Sequence, residues 1–183
     1  GYTDLENFKV KKLPFSYAVF NSEMLEVLNK YQPGCGIHIF VDTGMHREGV
    51  PIEELPQFLG QLKQLKNLKI EGLMSHIASA DNPKDPLNRL QIKNFKKALE
   101  ICKKYKIKAK WIHFQNSEGL ALHLRGVNVN LGRVGLALYG ISKNPNLKPI
   151  LSLKSKIIQI KKLKIGDRVG YGRPTRRHLA HSE

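Results

Sequence analysis

Short, β-branched apolar segments alternate with segments of helical spacing along most of this chain, and that alternation limits the folds open to it. The predicted helices cover residues 21–31, 52–66, 86–104 and 117–124, and the predicted strands cover residues 36–42, 68–77, 109–114, 127–131 and 136–141. Strand followed by helix in repeated succession favours a parallel sheet with crossover helices. The predicted inward face of the 86–104 helix consists of Leu87, Leu90, Phe95, Ala98, Leu99 and Cys102.

The pattern changes after residue 145. Residues 150–171 are strand-like, and no helical spacing interrupts them. We therefore expect an α/β part over residues 1–145, the start of an all-β part over 146–172, and an atypical tail over 173–183.

Net charge is the strongest compositional feature. The 183 residues carry 31 Lys and Arg against 15 Asp and Glu, a formal charge of +16, which suggests nucleic acid or an anionic surface as a partner. No recognition motif or aromatic ladder accompanies the basic residues, so we expect mostly solvated surface charge and no nucleic-acid partner.

The sequence contains no membrane-span pattern and no metal-ligand spacing. Two cysteines, Cys35 and Cys102, are expected to be reduced thiols of a cytoplasmic protein.

Polar groups follow four successive predicted strands. Arg47 comes after the first, His76 ends the second, Asn116-Ser117 follows the third, and 132–135 (GRVG) follows the fourth. Each has a simpler explanation, as a loop charge, a core histidine, a helix cap or a turn. Their recurrence at strand ends, where barrels and doubly wound sheets both bind ligands, favours a shared site for an anionic ligand. The remaining context-free histidines are predicted to be structural or surface residues: His38, His113, His123, His178 and His181.

Five segments in a fixed order carry a family resemblance. They are 38–50 (HIFVDTGMHREGV), 72–83 (GLMSHIASADNP), 114–123 (FQNSEGLALH), 130–145 (NLGRVGLALYGISKNP) and 147–172 (LKPILSLKSKIIQIKKLKIGDRVGYG). They resemble segments of alanine racemases, beginning with the signature VDTGMGRLG. The resemblance implies an N-terminal (β/α)₈ TIM barrel and a C-terminal β domain. It also implies interconversion of L- and D-alanine for the cell wall by a homodimer that uses pyridoxal 5′-phosphate (PLP).

The resemblance assigns roles at the cofactor ring. Arg47 matches the arginine near the cofactor's phenolic oxygen and the substrate carboxylate, and His76 matches the histidine beside the pyridine ring. Arg133 matches the arginine facing the pyridine nitrogen, where a permanent cation moderates the cofactor's electron sink.

The same resemblance places the cofactor phosphate. Ser117, with backbone groups of Gly135 and Leu136, matches the family's phosphate cradle.

Several family features are missing from the sequence. No K-A-N-A-Y-G-H-G segment supplies the Schiff-base lysine, and Thr175 stands where the second base, a tyrosine, is expected. Phe40 stands where many members carry a modified lysine that steadies the arginine, and His46 replaces a glycine. We therefore expect an internal piece of such an enzyme that contains neither catalytic base and is inactive alone.

Three alternatives stay open at this point. A racemase of another amino acid would share the scaffold. A basic nucleic-acid-binding module would account for the charge of residues 143–177. A non-catalytic PLP-binding or scaffold protein would account for the missing lysine.

Overall fold

Parallel strands form the centre of the computed structural model, which describes residues 4–121, 126–141, 144–167, 169 and 171. The strands are β1 (Ser16–Val19), β2 (Gly36–Asp42), β3 (Val50–Pro51), β4 (Lys69–Met74) and β5 (Trp111–His113). The main sheet runs β1-β2-β4-β5, every pair is parallel, and β3 pairs with the end of β2. A doubly wound sheet reverses its strand order at a switch point, whereas a barrel keeps chain order. The predicted fold, a parallel α/β sheet of the partial-barrel kind, is confirmed.

Helices precede, connect and follow these strands. They are α1 (Asn7–Val10), α2 (Ser22–Tyr31), α3 (Leu55–Gln64), α4 (Pro86–Lys104) and α5 (Ser117–Ala121). The predictions for α2, β2 and α4 are confirmed almost to the residue. Asn21 begins α2 because its side-chain oxygen accepts a hydrogen bond from the N–H of Met24 at 2.8 Å.

Three elements had no counterpart in the prediction: α1, β1 and β3. β1 pairs in register with β2 from Ser16 opposite Gly36 to Val19 opposite Ile39. Its sequence, SYAV, alternates too briefly to mark a strand, and its fourth residue alone is buried. The segment is therefore a strand because it pairs with β2, and its own sequence pattern would not predict one.

Two predicted strands are wrong. Residues 127–131 lie beside β5, but the side-chain oxygen of Asn130 accepts the N–H of Ile112 at 2.8 Å, where a ladder needs a backbone carbonyl. Residues 136–141 contain a 3₁₀ helix, Leu136–Tyr139, which ends at Gly140 in the left-handed region, with φ 72°. The apolar run here is exposed, so nothing selects a strand.

The buried face of α4 also differs from the prediction. Asn88 and Gln91 are buried, whereas Leu90 is 49% exposed. The two amides lie inward because both donate to backbone carbonyls of the loop after β4. Phe95, Ala98 and Cys102 continue this face into the core, as predicted.

The core lies between the sheet and the helices α2, α3 and α4. Its largest fully buried apolar side chains are Phe95, Leu25, Leu28, Ile37, Ile39, Leu55, Leu59, Leu73 and Ile77. Phe95 of α4 stacks on Phe114, with ring centroids 5.0 Å apart, just beyond the end of β5. The carboxyl ends of the strands are thus anchored beneath the loops that carry the candidate site.

The chain divides into two units, Gly1–Ile150 and Leu151–Glu183. The second unit contains no helix or strand among its described residues, 151–167, 169 and 171, where strands were predicted. A strand needs a partner for its N–H and C=O groups, and no strand in that described part provides one. The predicted tail at 173–183 lies outside the described residues. No helix in the described part of the chain is long and apolar enough to cross a bilayer.

Candidate active site

The loop after β2 is shaped by Asp42. One carboxylate oxygen accepts the N–H groups of Gly44, Met45 and His46 at 2.9 to 3.1 Å. Burial alone would raise the pKa of Asp42, but these N–H groups and the nearby His46 ring hold that pKa below its ordinary value. His46 adopts φ 55°, a left-handed conformation that favours glycine. The carboxylate thereby fixes the turn that presents Arg47.

Arg133 is the hub of the site. Its Nη1 group donates to Nδ1 of His113 at 2.7 Å. Its Nη2 group donates to the Ser75 carbonyl at 2.7 Å and to Nδ1 of His76 at 3.1 Å. His76 and Arg133, which the resemblance places at the cofactor ring, are therefore in direct contact. Within the described residues no acceptor meets the Nε–H of Arg133.

Burial and positive neighbours keep the site's histidines neutral. Burial lowers the pKa of His76, and the Arg133 and Arg47 guanidinium groups lower it further. Burial, helped by Arg133 and His38, lowers the pKa of His113 to about 4. Burial, then the charge of Arg47, also lowers the pKa of Arg133. Because both rings are neutral, each can accept a hydrogen bond from the guanidinium, which only donates.

A cavity of about 330 Å³ opens beside this hub. Arg47, His76, Arg133 and Phe40 all line it. The Nε–H of Arg47 donates to the carboxylate of Glu48, another lining residue. Thus two cations and a neutral imidazole face one concave space, and Glu48 is the acidic partner of Arg47.

Ser117 forms a second cluster. Its hydroxyl oxygen, buried at the start of α5, accepts the N–H groups of Gly135 at 2.9 Å and Ala137 at 3.2 Å. Backbone donors of the 135–137 loop therefore converge on one point. Leu136, the third predicted member of the cradle, lies between the two donors and makes no bond to Ser117. These residues do not line the cavity of Arg133.

A buried amide ties the loops together. Gln91 of α4 donates to Thr43 Oγ1 at 3.2 Å and to the His76 carbonyl at 2.9 Å, and it accepts from the N–H of Ala78 at 2.9 Å. Thr43 in turn contacts Ser75 at 2.8 Å through their hydroxyl oxygens. Gln91 thereby links the loops after β2 and β4. Helical spacing could not reveal it, because it occupies an apolar face.

His38 and His113, predicted as structural or surface residues, belong to the hydrogen-bonded cluster around Arg133. His113 contacts Arg133, and its Nε2 lies 2.7 Å from Nδ1 of His38. His38 lies on β2, His113 lies on β5, and β4 separates them. The rings meet across Gly72 of β4, where an added Cβ would lie 2.2 Å from His38 Nδ1. A glycine inside a strand is a signal of such close approach.

Three sequence expectations concern groups away from this hub. Cys35 and Cys102 are buried free thiols, as predicted, and burial raises the pKa of Cys102 to about 12. Within the described residues no group of three or more His, Cys, Asp or Glu side chains could hold a metal ion. His123, His178 and His181 lie outside the described residues.

Comparison with known proteins gives one consistent family. The sequence profile described as "Alanine racemase, N-terminal domain" matches residues 2–143. A protein named alanine racemase from Geobacter sp. (strain M21) is 37% identical over 178 residues, covering 88% of this chain and 46% of that protein. An alanine racemase from Helicobacter pylori is 34% identical over 173 residues, covering 86% and 46%. The chain thus spans about half the length of these curated relatives.

Solved structures give the same family. The alanine racemase of Clostridium difficile 630 superimposes with a TM-score of 0.71 at 25% identity, covering 81% of this chain and 40% of that one. The alanine racemase from E. faecalis gives a TM-score of 0.68 at 29% identity, covering 94% and 49%.

Proposed function

Because the chain belongs to the alanine racemase N-terminal domain family, we propose that it carries the cofactor-facing half of a PLP-dependent alanine racemase. The whole protein would interconvert L-alanine and D-alanine for peptidoglycan synthesis. The observation that carries this proposal is the hub at Arg133, which is charged, half-buried and bonded to two neutral imidazoles beside a cavity.

The donor set suits PLP. A pyridine nitrogen accepts hydrogen bonds, and the Nε–H of Arg133 is a donor with no acceptor among the described residues. A phosphate also accepts hydrogen bonds. The N–H groups of Gly135 and Ala137, now directed at Ser117, would serve it together with the Ser117 hydroxyl.

The described side chains divide the work of binding. Arg133, a permanent cation, would donate to the pyridine nitrogen without giving up its proton. Neutral His76 would hold Arg133 in place from the cavity side. Arg47, kept at the cavity by the Asp42 turn and by Glu48, would bind the substrate carboxylate. Bound PLP supplies an electron sink that makes the substrate Cα–H acidic. By donating to the ring without giving up its proton, Arg133 would moderate that sink and so favour return of the proton over side reactions.

We propose that these 183 residues do not catalyse racemisation alone. The lysine segment that links the cofactor and the tyrosine that serves as second base are not found in the sequence. A racemase needs a base on each face of Cα.

The remaining features of the family, a homodimer and a cytoplasmic location, are part of the same proposal. So is the division into a barrel part over 1–145 and the start of a β domain over 146–172.

The positive charge does not favour nucleic acid. The exposed lysines of α4 lie away from the cavity, at Lys93, Lys96, Lys97, Lys103 and Lys104, and a second exposed set follows at Lys148, Lys154, Lys156, Lys161, Lys162 and Lys164. They lie among neighbours that expose no aromatic ladder for base stacking. Tight DNA binding at physiological salt would instead support the nucleic-acid alternative.

The experiment measures binding of pyridoxine 5′-phosphate to the full chain by titration calorimetry. This compound has the ring and phosphate but no aldehyde, so it forms no adducts with surface lysines. We expect saturable binding that falls about 10-fold or more in Arg133→Gln, since a bond to a charged donor is lost. The matched control, Lys97→Gln, removes a charge from exposed α4 surface and should bind like wild type.

A chain that binds the probe no better than pyridoxine, or an Arg133→Gln variant equal to wild type, would contradict the proposal. Racemisation of L-alanine by the chain with PLP would contradict the absence of the catalytic bases. A racemase of a different amino acid would bind the probe equally well. Only the substrate of the whole protein distinguishes that alternative.

A further inference from the structure

A path of hydrogen-bonding side chains runs from Arg133 across the sheet, from β5 to β2. Nδ1 of His113 lies 2.7 Å from Arg133, and Nε2 of His113 lies 2.7 Å from Nδ1 of His38. Nε2 of His38 lies 3.9 Å from a carboxylate oxygen of Glu71, which also accepts the Ser16 hydroxyl at 2.6 Å. This path therefore links the carboxyl ends of the strands, where Arg133 lies, to their opposite ends, where β1 and β2 begin.

The donor of each hydrogen bond along this path follows from Arg133. A guanidinium has no lone pair to offer, so it must donate to Nδ1 of His113. His113 is neutral, so its single ring proton lies on Nε2 and is donated to Nδ1 of His38. Neutral His38 then carries its proton on Nε2, facing Glu71. One orientation satisfies all three groups.

The backbone is adapted to this path. An added Cβ at Gly72 would lie 2.2 Å from His38 Nδ1, and one at Gly36 would lie 2.2 Å from the Glu71 carboxyl carbon. The register between β2 and β4 also slips, so that His38 pairs with Gly72 and Glu71 has no partner on β2. Two missing side chains and a slipped register therefore make room for the rings and the carboxylate.

We propose that His113 and His38 are positioning residues for Arg133, a one-directional imidazole chain that holds the guanidinium in place for its ligand. The Glu71 carboxylate polarises the far ring, which makes His113 a better acceptor for Arg133. This inference rests on the cofactor-binding role proposed for Arg133. Neither histidine touches the cavity, so both act through the arginine.

The first test needs no cofactor. Long-range ¹H–¹⁵N spectra of the full chain with ¹⁵N-labelled histidine report which ring nitrogen carries the proton. We expect His113 and His38 both to be neutral and protonated at Nε2, with signals assigned by their loss in His113→Asn and His38→Leu. A proton on Nδ1 of His113, or a charged His113 ring at neutral pH, would overturn the proposal.

The second test uses pyridoxine 5′-phosphate binding. His113→Leu removes the acceptor for Arg133 and should weaken binding about 10-fold or more, whereas His113→Asn offers an amide oxygen near the former Nδ1 and should stay within about threefold of wild type. Equal loss in both variants would mean a packing role and would overturn the proposal. If wild type fails to bind, the proposed function fails, and the tautomer measurement still decides the imidazole chain by itself.

Discussion

Gln91 offers a sharp test of how the site is built, because one buried amide connects three groups in two loops. Replacing it by methionine keeps the volume and the helix propensity but removes all three hydrogen bonds. Thr43 keeps its partner Ser75, so two groups lose theirs, the His76 carbonyl and the Ala78 N–H. Each unsatisfied group costs about 1 to 3 kcal/mol, and the apolar methionine recovers part of that.

We therefore expect Gln91→Met to lower the free energy of unfolding by about 2 to 4 kcal/mol, measured by urea denaturation of the full chain. The same substitution at exposed Lys97, on the same helix, should change it by no more than about 0.5 kcal/mol. Because the lost bond also releases the His76 carbonyl, binding of pyridoxine 5′-phosphate should weaken as well. If Gln91→Met is as stable as Lys97→Met, the Gln91 amide does not hold these loops together.

Three further outcomes follow from the geometry. Ser117→Ala removes the acceptor for two backbone N–H groups and should lower the free energy of unfolding in urea by about 1 to 3 kcal/mol. The same variant should bind pyridoxine 5′-phosphate more weakly. Gly72→Ala would press a methyl group against His38 and should destabilise the chain by about 1 to 3 kcal/mol. The control Gly60→Ala, in open space on α3, should stabilise the chain by about 0.5 to 1 kcal/mol. Equal effects of the two substitutions would contradict the close approach of Gly72 and His38. His113 has a pKa of about 4 when folded against an ordinary 6.5, so the unfolded chain takes up the proton first, and this ring should lower stability by about 3 kcal/mol as pH drops from 6.5 to 4. His38 and His76 also have lowered pKa values, so denaturation across this range should find the slope reduced by that amount in His113→Asn and not abolished.

The elements that local patterns determine were predictable. β2 is a continuous apolar run, and α4 combines an N-terminal Asp85-Pro86 start with nineteen residues of helical spacing, so both were placed correctly. Arg47, His76 and Arg133 were predicted as candidate site residues because they lie at or after the ends of strands, whose carboxyl ends share one edge of the sheet. The structure adds that they line one cavity.

The features that the prediction missed depend on tertiary contacts. His38 and His113 are separated by 75 positions in sequence and meet only because β4 lies between their strands with a glycine at the crossing point. Asn130 replaces a backbone ladder bond by a side-chain bond, which no periodicity encodes. Gln91 interrupts an apolar stripe for the sake of bonds to loops more than ten residues away.

The most direct test of the account is hydrogen exchange of the full chain with and without pyridoxine 5′-phosphate. We expect exchange to slow in peptides covering residues 75–79, which contain the Arg133 partners Ser75 and His76, and 132–140, which contain the N–H groups of Gly135 and Ala137. Exchange should be unchanged along the lysine-rich face of α4. Protection confined to α4, or none at residues 132–140 under saturating probe, would contradict the claim that these loops form a cofactor site.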